Sequence, residues 1–277
     1  MGFVVAELLF GFISNSLALV ADAMHNFSDV IGLLLAWGGA WLARLMPTAT
    51  RTYGYRSASI LAALTNAGLL FIAVGGIVIE SVRRFFNPAF IESSTVIWVA
   101  ALGIIINTAT AMMFFHGQKD DLNIRGAFLH MVADALVSVG VVVAAVFVMW
   151  TGYLWIDPVI GLVIAGVIVW STWGLAKDSL HLSLAGVPRN VDVAAVRSYL
   201  AGLPGVAEVH DLHIWAMSTT ETALTVHLLR PGSAPDDAFL HEVAGGLQSR
   251  FKIHHPTIQI EVGNAKDACK LAPEEVV

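Results

Sequence analysis

The sequence predicts a helical membrane protein that ends in a small α+β domain. Hydrophobic residues make up 57% of its 277 residues and charged residues only 13%, whereas charged residues make up roughly a quarter of an ordinary globular domain. Several apolar runs approach the roughly 20 residues that a helix needs to cross a bilayer. After Val187 the composition changes, and polar, charged and turn residues recur up to Val262. These observations predict transmembrane helices followed by a soluble domain.

The first part of the chain is predicted to be a transmembrane domain over residues 1–180. It contains six apolar runs, which cover residues 2–20, 23–45, 57–82, 94–115, 126–150 and 156–176. Small residues spaced four apart, such as Gly140 with Ala144 and Gly161 with Ala165, allow helices to approach closely. No basic segment precedes the apolar run after Met1, so we expect no cleavable signal peptide. Six tightly packed transmembrane helices are predicted.

The basic residues predict how these helices are oriented. An even number of spans places both termini on one side, and lysine and arginine accumulate on the cytosolic side of a membrane. The loops on the side of the termini hold Arg44, Arg51, Arg56, Lys119, Arg125 and Lys177. The opposite loops hold only Arg83 and Arg84. Both termini are predicted to be cytosolic, and the membrane is the inner, or plasma, membrane if the chain is bacterial.

The C-terminal part is predicted to be an α+β domain over residues 188–263. Its pattern indicates a helix, two strands, a second helix and a third strand, over residues 191–203, 206–217, 222–229, 236–251 and 257–262. An αββαβ order suits a sheet with helices on one face. Residues 264–277 form a short polar tail that we expect to be loosely held.

Ionisable residues within two of the apolar runs are the strongest functional signal. The second run contains His25 and Asp29, with Asp22 directly before it, and the fifth contains His130 and Asp134. A charged group at the bilayer centre costs at least roughly 2.5 kcal/mol. Residues four apart share one face of a helix, so each His–Asp pair projects together. Two neighbouring helices can therefore bring two imidazoles and two carboxylates to one point.

That donor set predicts a site for a divalent transition metal such as zinc. One His-x-x-x-Asp pair alone is explained equally well as a polar contact between helices. Its repetition in two of the six runs favours a metal site at His25, Asp29, His130 and Asp134. Asp22 is either an outer hydrogen-bond acceptor for His25 or an alternative ligand.

Several other classes of function are excluded. The net charge of −6 and the lack of a basic stripe argue against nucleic acid as a partner. No phosphate-binding or dinucleotide-binding glycine motif is present. The HEVAG segment at His241 has Gly245 where a zinc protease has its second histidine. The single cysteine, Cys269, excludes an internal disulfide and a metal site made of thiolates alone.

Histidines of the C-terminal domain indicate a second candidate metal site. The candidate donors are His210, His213, His227, His241, His254, His255 and Glu261. Because side chains alternate along a strand, at most one of His210 and His213 faces a site shared with His227. A surface or core role is the commoner explanation for any one histidine, but their concentration in a small domain favours a metal site.

Five segments together resemble the cation diffusion facilitators, a family of zinc and heavy-metal efflux transporters. They are SNSLALVADAMHNFSD, YGYRSASILAAL, HMVADALVS, WIDPVIGL and VHDLHIW. The resemblance covers nearly the whole chain. It implies that Zn²⁺ is exchanged for protons at the four membrane donors, and that the C-terminal domain is a ferredoxin-like module that forms a homodimer.

The same resemblance implies a cytosolic metal site at His210, His227, His254 and Glu261, with His241 beside a neighbouring ion. Zn²⁺ is then both the substrate and a regulatory or structural ligand of this domain. Relatives often have an acidic residue before the GVP segment, where this chain has Ala185. No ion pair from Arg56 to that linker is therefore predicted.

Two other functions compete with an exporter. A channel is disfavoured, because a four-ligand tetrahedral site binds an ion too tightly for fast conduction. A metal sensor or membrane scaffold would use the C-terminal domain and leave the His–Asp pairs structural. Metal flux, or its absence, in liposomes distinguishes these functions.

Overall fold

The structure is a computed structural model that describes residues 1–115, 122–232 and 237–263, together with Cys269 and Leu271. The side chains of residues 122–124 and 126 are not described. Lys119, the predicted helix start at residue 236 and the rest of the predicted tail lie outside the described residues.

The described chain contains eight helices and three strands. In chain order the helices are α1 Gly2–Ile13, α2 Leu17–Ala43, α3 Ala58–Phe86, α4 Ser93–Phe114, α5 Leu122–Thr151, α6 Ile156–Ser183, α7 Val193–Ala201 and α8 Asp237–Phe251. The strands are β1 Glu208–Ala216, β2 Thr222–Leu229 and β3 Ile253–Glu261.

Among the described residues, five helices are long and apolar enough to cross a membrane, namely α2 to α6. The predicted helical membrane protein with a C-terminal α+β domain is confirmed. The first predicted span differs from the structure, because α1 has 12 residues and at about 1.5 Å per residue reaches only about 18 Å.

The break between α1 and α2 lies at a polar turn inside the first apolar run. Asn15 adopts a left-handed φ of 58°, which asparagine tolerates better than most residues. Its Nδ2 donates to the carbonyl oxygen of Phe90 at 3.1 Å. Arg84 Nη2 donates to Asn15 Oδ1 at 2.7 Å. The predicted boundary after residue 20 is wrong, since α2 already begins at Leu17.

The chain divides into two compact units, the first made of residues 1–35 and 65–176. Its core consists of buried apolar side chains on the long helices, such as Leu19, Val74 and Ile168. Large apolar side chains also lie on the outside, where Ile72 is 75% and Trp170 83% exposed. An apolar exterior around an apolar core is what a bilayer requires.

The second unit comprises residues 36–64 and 177–277 and includes the α+β domain. Its sheet has the order β1-β2-β3, with β1 antiparallel and β3 parallel to β2. Buried residues from the sheet and from α7 and α8 form one core, with Leu200, Leu224 and Leu247 fully buried. Strand β3 begins at Ile253 rather than at the predicted residue 257, because an edge strand tolerates Pro256.

The α2–α3 loop belongs to this second unit and contacts the turn between β1 and β2. Arg56 forms an ion pair with Glu221. Ser57 Oγ donates to the carbonyl oxygen of Met217 at 3.3 Å. The backbone N–H of Thr219 donates to Ser59 Oγ at 3.1 Å. Arg56 therefore has an acidic partner, in the β1–β2 turn rather than in the linker before Gly186.

Candidate metal centres

The four predicted membrane donors lie together between α2 and α5. His130 Nε2 is 3.1 Å from Asp29 Oδ2 and 3.6 Å from Asp134 Oδ2. His25 Nε2 is 3.5 Å from Asp134 Oδ1 and 3.9 Å from Asp29 Oδ2. Each imidazole thus approaches both carboxylates. The i, i+4 spacing on each helix produces this arrangement, since it places each His–Asp pair on one face.

The cluster is closed at one end and open at the other. The side chain of Asp134 is 3% exposed, whereas that of His130 is 42% exposed. Asp29, His130 and Asp134 offer ligand atoms within 4.8 Å of one another. The two imidazole rings are 6.0 Å apart and nearly perpendicular. His25 is outside that group of three, although its Nε2 lies within 3.9 Å of both carboxylates. One imidazole and two carboxylates thus converge, and the imidazole of His25 is the fourth donor that a tetrahedral shell around a small divalent cation would need.

Asp22 makes its hydrogen bond outside this cluster. It is fully buried, and its Oδ2 accepts a hydrogen bond from Ser138 Oγ at 2.8 Å. Sequence reasoning missed a second buried carboxyl group, that of Glu7 on α1, which accepts a hydrogen bond from Asn26 Nδ2 at 3.1 Å. Glu7 stands alone in an apolar helix, so no spacing pattern in α1 distinguishes it.

A second cluster lies in the α+β domain. His210 and His227 face each other across the antiparallel β1–β2 pair, and their rings are 5.4 Å apart. Glu261 at the end of β3 joins them, with Oε2 3.3 Å from His210 Nε2 and Oε1 3.1 Å from His227 Nδ1. Three of the predicted donors are therefore brought together by the three strands.

Cys269 and Asp211 approach the same cluster and were not predicted as donors. Cys269 Sγ is 3.5 Å from His227 Nδ1, and the ligand atoms of His210, His227, Glu261 and Cys269 all lie within 4.8 Å of one another. Asp211 Oδ2 is 3.4 Å from His227 Nε2. Asp211 occupies an irregularity in β1 and has a φ of 50°, which the alternation rule does not anticipate.

The other predicted histidines of this domain lie elsewhere. His213 Nε2 is 2.8 Å from Asp211 Oδ1, as expected if only one of His210 and His213 faces His227. His241 on α8 and His254 on β3 are exposed and are outside the group of four donors. The assignment of those two as ligands remains a prediction from the family.

The ionisation of Glu261 and Cys269 reflects their contact. Partial burial opposes the ionisation of Glu261, but the hydrogen bond from Cys269 and the neighbouring His210 together hold its pKa below its usual value. A backbone hydrogen bond from Leu271 favours the thiolate of Cys269, but desolvation and the carboxylate of Glu261 outweigh it and raise the pKa of the thiol. The carboxylate is the better metal donor of the two at neutral pH.

The buried imidazole of His210 fits a metal at this cluster. His210 is 5% exposed, and its ring nitrogens lie 3.3 Å from Glu261 Oε2 and 3.5 Å from Glu208 Oε1 without the geometry of a hydrogen bond. Buried polar groups are usually satisfied, and a metal ion would satisfy one of these nitrogens. Imidazole, carboxylate and thiolate are all ligands of zinc.

A helical membrane domain with cation donors between its helices, joined to an α+β domain with a second donor cluster, defines a membrane protein equipped to bind metal ions. Family comparison agrees with that class. The model described as the cation efflux transmembrane domain matches residues 1–182, and that of the cytoplasmic domain of cation efflux proteins matches residues 188–262. The chain belongs to the cation efflux family, and the resemblance seen in its sequence is confirmed.

Individual relatives match over almost the whole chain. The cation efflux system protein CzcD of Alcaligenes sp. strain CT14 is 39% identical over 96% of this chain and 84% of its own length. The zinc transporter ZitB of Escherichia coli K12 is 34% identical over 94% of this chain and 83% of its own. The cadmium, cobalt and zinc/H⁺-K⁺ antiporter of Bacillus subtilis 168 is 33% identical over 94% and 85%.

One solved structure is also similar in sequence. The metal-bound C-terminal domain of the CzcD transporter from Cupriavidus metallidurans is 39% identical, covers 26% of this chain and 99% of that domain, and aligns with a TM-score of 0.24.

Proposed function

We propose that this protein exports Zn²⁺ and similar divalent cations from the cytosol in exchange for protons. The observation that supports this most directly is the convergence of His25, Asp29, His130 and Asp134 between two transmembrane helices. Binding a cation between helices suits alternating access around a site within the membrane. We assign the protein a transport function rather than an enzymatic one.

The donor set supports zinc as the substrate. Zinc takes tetrahedral shells of imidazole nitrogen and carboxylate oxygen, whereas magnesium prefers six oxygen ligands. The names of the relatives agree, since one is a zinc transporter and another a cadmium, cobalt and zinc antiporter.

Proton exchange follows from the chemistry of the same ligands. Metal binds neutral imidazole and ionised carboxylate, so its arrival displaces protons and their return helps to release it. Free histidine titrates near pH 6.5, which lies within the range of cellular compartments. The antiporter of Bacillus subtilis is named for such an exchange.

We place the protein in the bacterial inner membrane, on the strength of its bacterial relatives. Both termini lie in the cytosol in this proposal, following the distribution of lysine and arginine. The C-terminal domain forms the homodimer and binds zinc as a regulatory or structural ligand. The donors described above are His210, His227, Glu261 and Cys269, and the family resemblance adds His241 and His254.

Purified protein in liposomes tests the transport proposal. We expect saturable zinc uptake, with proton movement in the opposite direction reported by a trapped pH dye. Asp134→Asn keeps the side-chain shape but removes an anionic ligand, and we expect at least about a tenfold loss of zinc affinity, because even outer ligand partners contribute that much.

Glu80→Gln is the matched control, since Glu80 lies in α3 and pairs with Arg84 rather than with the cluster. The control should transport normally. Zinc flux that does not saturate and moves no protons would favour a channel. No flux at all from the folded wild-type protein would favour a sensor or scaffold.

A further inference from the structure

A buried carboxyl group on α1 lies outside the metal cluster. Glu7 is 0% exposed. Its Oε2 accepts the hydrogen bond from Asn26 Nδ2 on α2, but its Oε1 is buried without a hydrogen-bond partner among the described residues. A buried, unpaired carboxylate oxygen is costly, and a proton bound there would remove the charge and supply a hydrogen-bond donor.

Glu7 faces a second buried carboxyl group across a glycine. A Cβ placed at Gly103 on α4 would lie 3.6 Å from Glu7 Oε1 and 3.3 Å from Ser138 Oγ. That hydroxyl donates to Asp22 Oδ2, while Asp22 Oδ1 has no hydrogen-bond partner among the described residues. The same Cβ position lies only 3.2 Å from Phe3 Cζ, so the space beside Glu7 is no wider than one methyl group. It suits a proton rather than a hydrated metal ion.

The charged groups that act electrostatically on Glu7 are acidic. They are Asp22 on α2 and Asp134 on α5. Asp22 in turn is acted on by His25 and Asp134. Helix α4 contributes only uncharged residues between Ser93 and Phe114. No lysine or arginine therefore balances Glu7 among the groups that act on it. A proton is the positive charge that the site can accept without rearrangement.

We propose that Glu7 is a proton-binding site, separate from the four metal donors, that releases its proton when metal binds and regains it when metal leaves. This inference rests on the proposed proton-coupled export. When metal enters, the O–H bond of the Glu7 carboxylic acid breaks, the group becomes a carboxylate and the proton passes to water. The reverse step follows metal release.

The positions of the neighbouring residues explain why the two sites are linked. Asn26 follows His25 directly on α2, and Ser138 is four residues after Asp134 on α5. One helical turn is about 5.4 Å long, so each contact of the carboxyl pair lies within about a turn of a metal donor. The charge of a divalent ion at that distance favours the ionised form of Glu7.

The test compares Glu7→Gln and Glu7→Asp with the wild-type protein in liposomes. Glutamine keeps the size and accepts the hydrogen bond from Asn26 but holds no exchangeable proton, whereas aspartate retains the carboxyl group. Zinc and proton movement are measured together with trapped dyes, and zinc affinity by titration calorimetry. We expect Glu7→Gln to bind zinc and to exchange about one proton fewer per zinc than the wild type. Glu7→Asp should keep the wild-type ratio.

The outcomes separate this inference from the proposed function. A wild-type protein that moves zinc without protons overturns both. An unchanged proton-to-zinc ratio in Glu7→Gln, with normal coupling in the wild type, overturns only the role of Glu7. Zinc binding without transport in Glu7→Gln, restored by Glu7→Asp, supports the role. If Glu7→Gln and Glu7→Asp lose zinc transport equally, Glu7 has a purely structural role and the inference is overturned.

Infrared difference spectroscopy decides the matter if Glu7→Gln does not fold. Zinc-free wild-type protein should show the carbonyl band of a protonated carboxylic acid that disappears when zinc is added. Glu7→Asp should shift that band. A band that is absent, or that the Asp substitution leaves in place, overturns the inference.

Discussion

The identity of the donor at residue 25 should control which metal the membrane cluster prefers. His25 Nε2 lies 3.5 Å from Asp134 Oδ1 and is one of the two nitrogen donors in the proposed site. His25→Asp leaves one nitrogen and three carboxylates, a harder shell that expands more readily around a larger ion. We expect the ratio of cadmium to zinc transport in liposomes to rise.

His130→Asp provides a matched substitution, because it makes the same change of donor set from α5. It should shift the ratio in the same direction. If both variants transport both metals at the wild-type ratio, selectivity is set by helix packing around the cluster and not by its donors.

Cys269 should strengthen metal binding in the C-terminal domain. Its sulfur lies within 4.8 Å of the donor atoms of His210, His227 and Glu261, and zinc favours thiolate sulfur. The comparison is made in protein that carries Asp134→Asn, which silences the membrane site. In this background we expect Cys269→Ser to reduce the rise in melting temperature that zinc produces. A tenfold loss of affinity would remove about 1.4 kcal/mol of that stabilisation.

Ser249→Ala, on the exposed face of α8, is the control for Cys269→Ser and should keep the full zinc effect. Competition with protons gives a second check, because zinc must displace the proton of the thiol. Cys269→Ser should therefore reduce the zinc-induced rise in melting temperature more at pH 8 than at pH 6. Equal reductions at both pH values would leave the thiol outside the metal shell.

At the level of helices, Asp157 should fix the start of α2. This carboxylate of α6 is 4% exposed and accepts hydrogen bonds from the backbone N–H groups of Leu17 at 2.6 Å and Ala18 at 3.3 Å, and from Ser16 Oγ. The first N–H groups of a helix lack partners within the helix, and a negative charge there is favourable. Asp157 thus caps α2 from another helix.

Asp157→Asn should therefore lower the stability of the detergent-solubilised protein by about 1–3 kcal/mol, the usual effect of losing a charged partner of buried groups. Zinc transport should fall with it, because α2 carries His25 and Asp29. Asp178→Asn, near the far end of α6 and paired with Arg189, is the control. An unchanged melting temperature for Asp157→Asn would refute the capping role.

The sequence predicts the helices and the membrane cluster well because both depend on local spacing. Apolar runs and an i, i+4 repeat place His25 with Asp29, and His130 with Asp134, before any contact between helices is known. The start of α2 was missed because the turn at Asn15 is stabilised by Arg84, which lies 69 residues away. Cys269 was missed for the same reason, since it is 42 residues from His227. Contacts between distant residues leave no periodic pattern in the sequence.

At the level of the whole chain, helix α2 carries two of the proposed metal donors and is followed by a loop that contacts the C-terminal domain. It carries His25 and Asp29 in its first half and ends at Ala43. The loop that follows is held to the β1–β2 turn by Arg56 with Glu221 and by the hydrogen bonds of Ser57 and Ser59. A change in the C-terminal domain can therefore act on the end of the helix that carries His25 and Asp29.

The ion pair between Arg56 and Glu221 allows that connection to be tested with a charge swap. The side chains of Arg56 and Glu221 are 38% and 34% exposed. Ion pairs with this exposure contribute less than about 1 kcal/mol to stability. We expect Arg56→Glu and Glu221→Arg each to leave the melting temperature nearly unchanged. Each should, however, raise hydrogen exchange in residues 44–57 and slow zinc transport. Because the double variant restores an ion pair of opposite polarity, it should recover both properties at least in part. Effects that simply add in the double variant would show that the two residues act independently. The loop would then be held by its other contacts, such as the hydrogen bond of Ser57 and the ring contact between Tyr53 and His255.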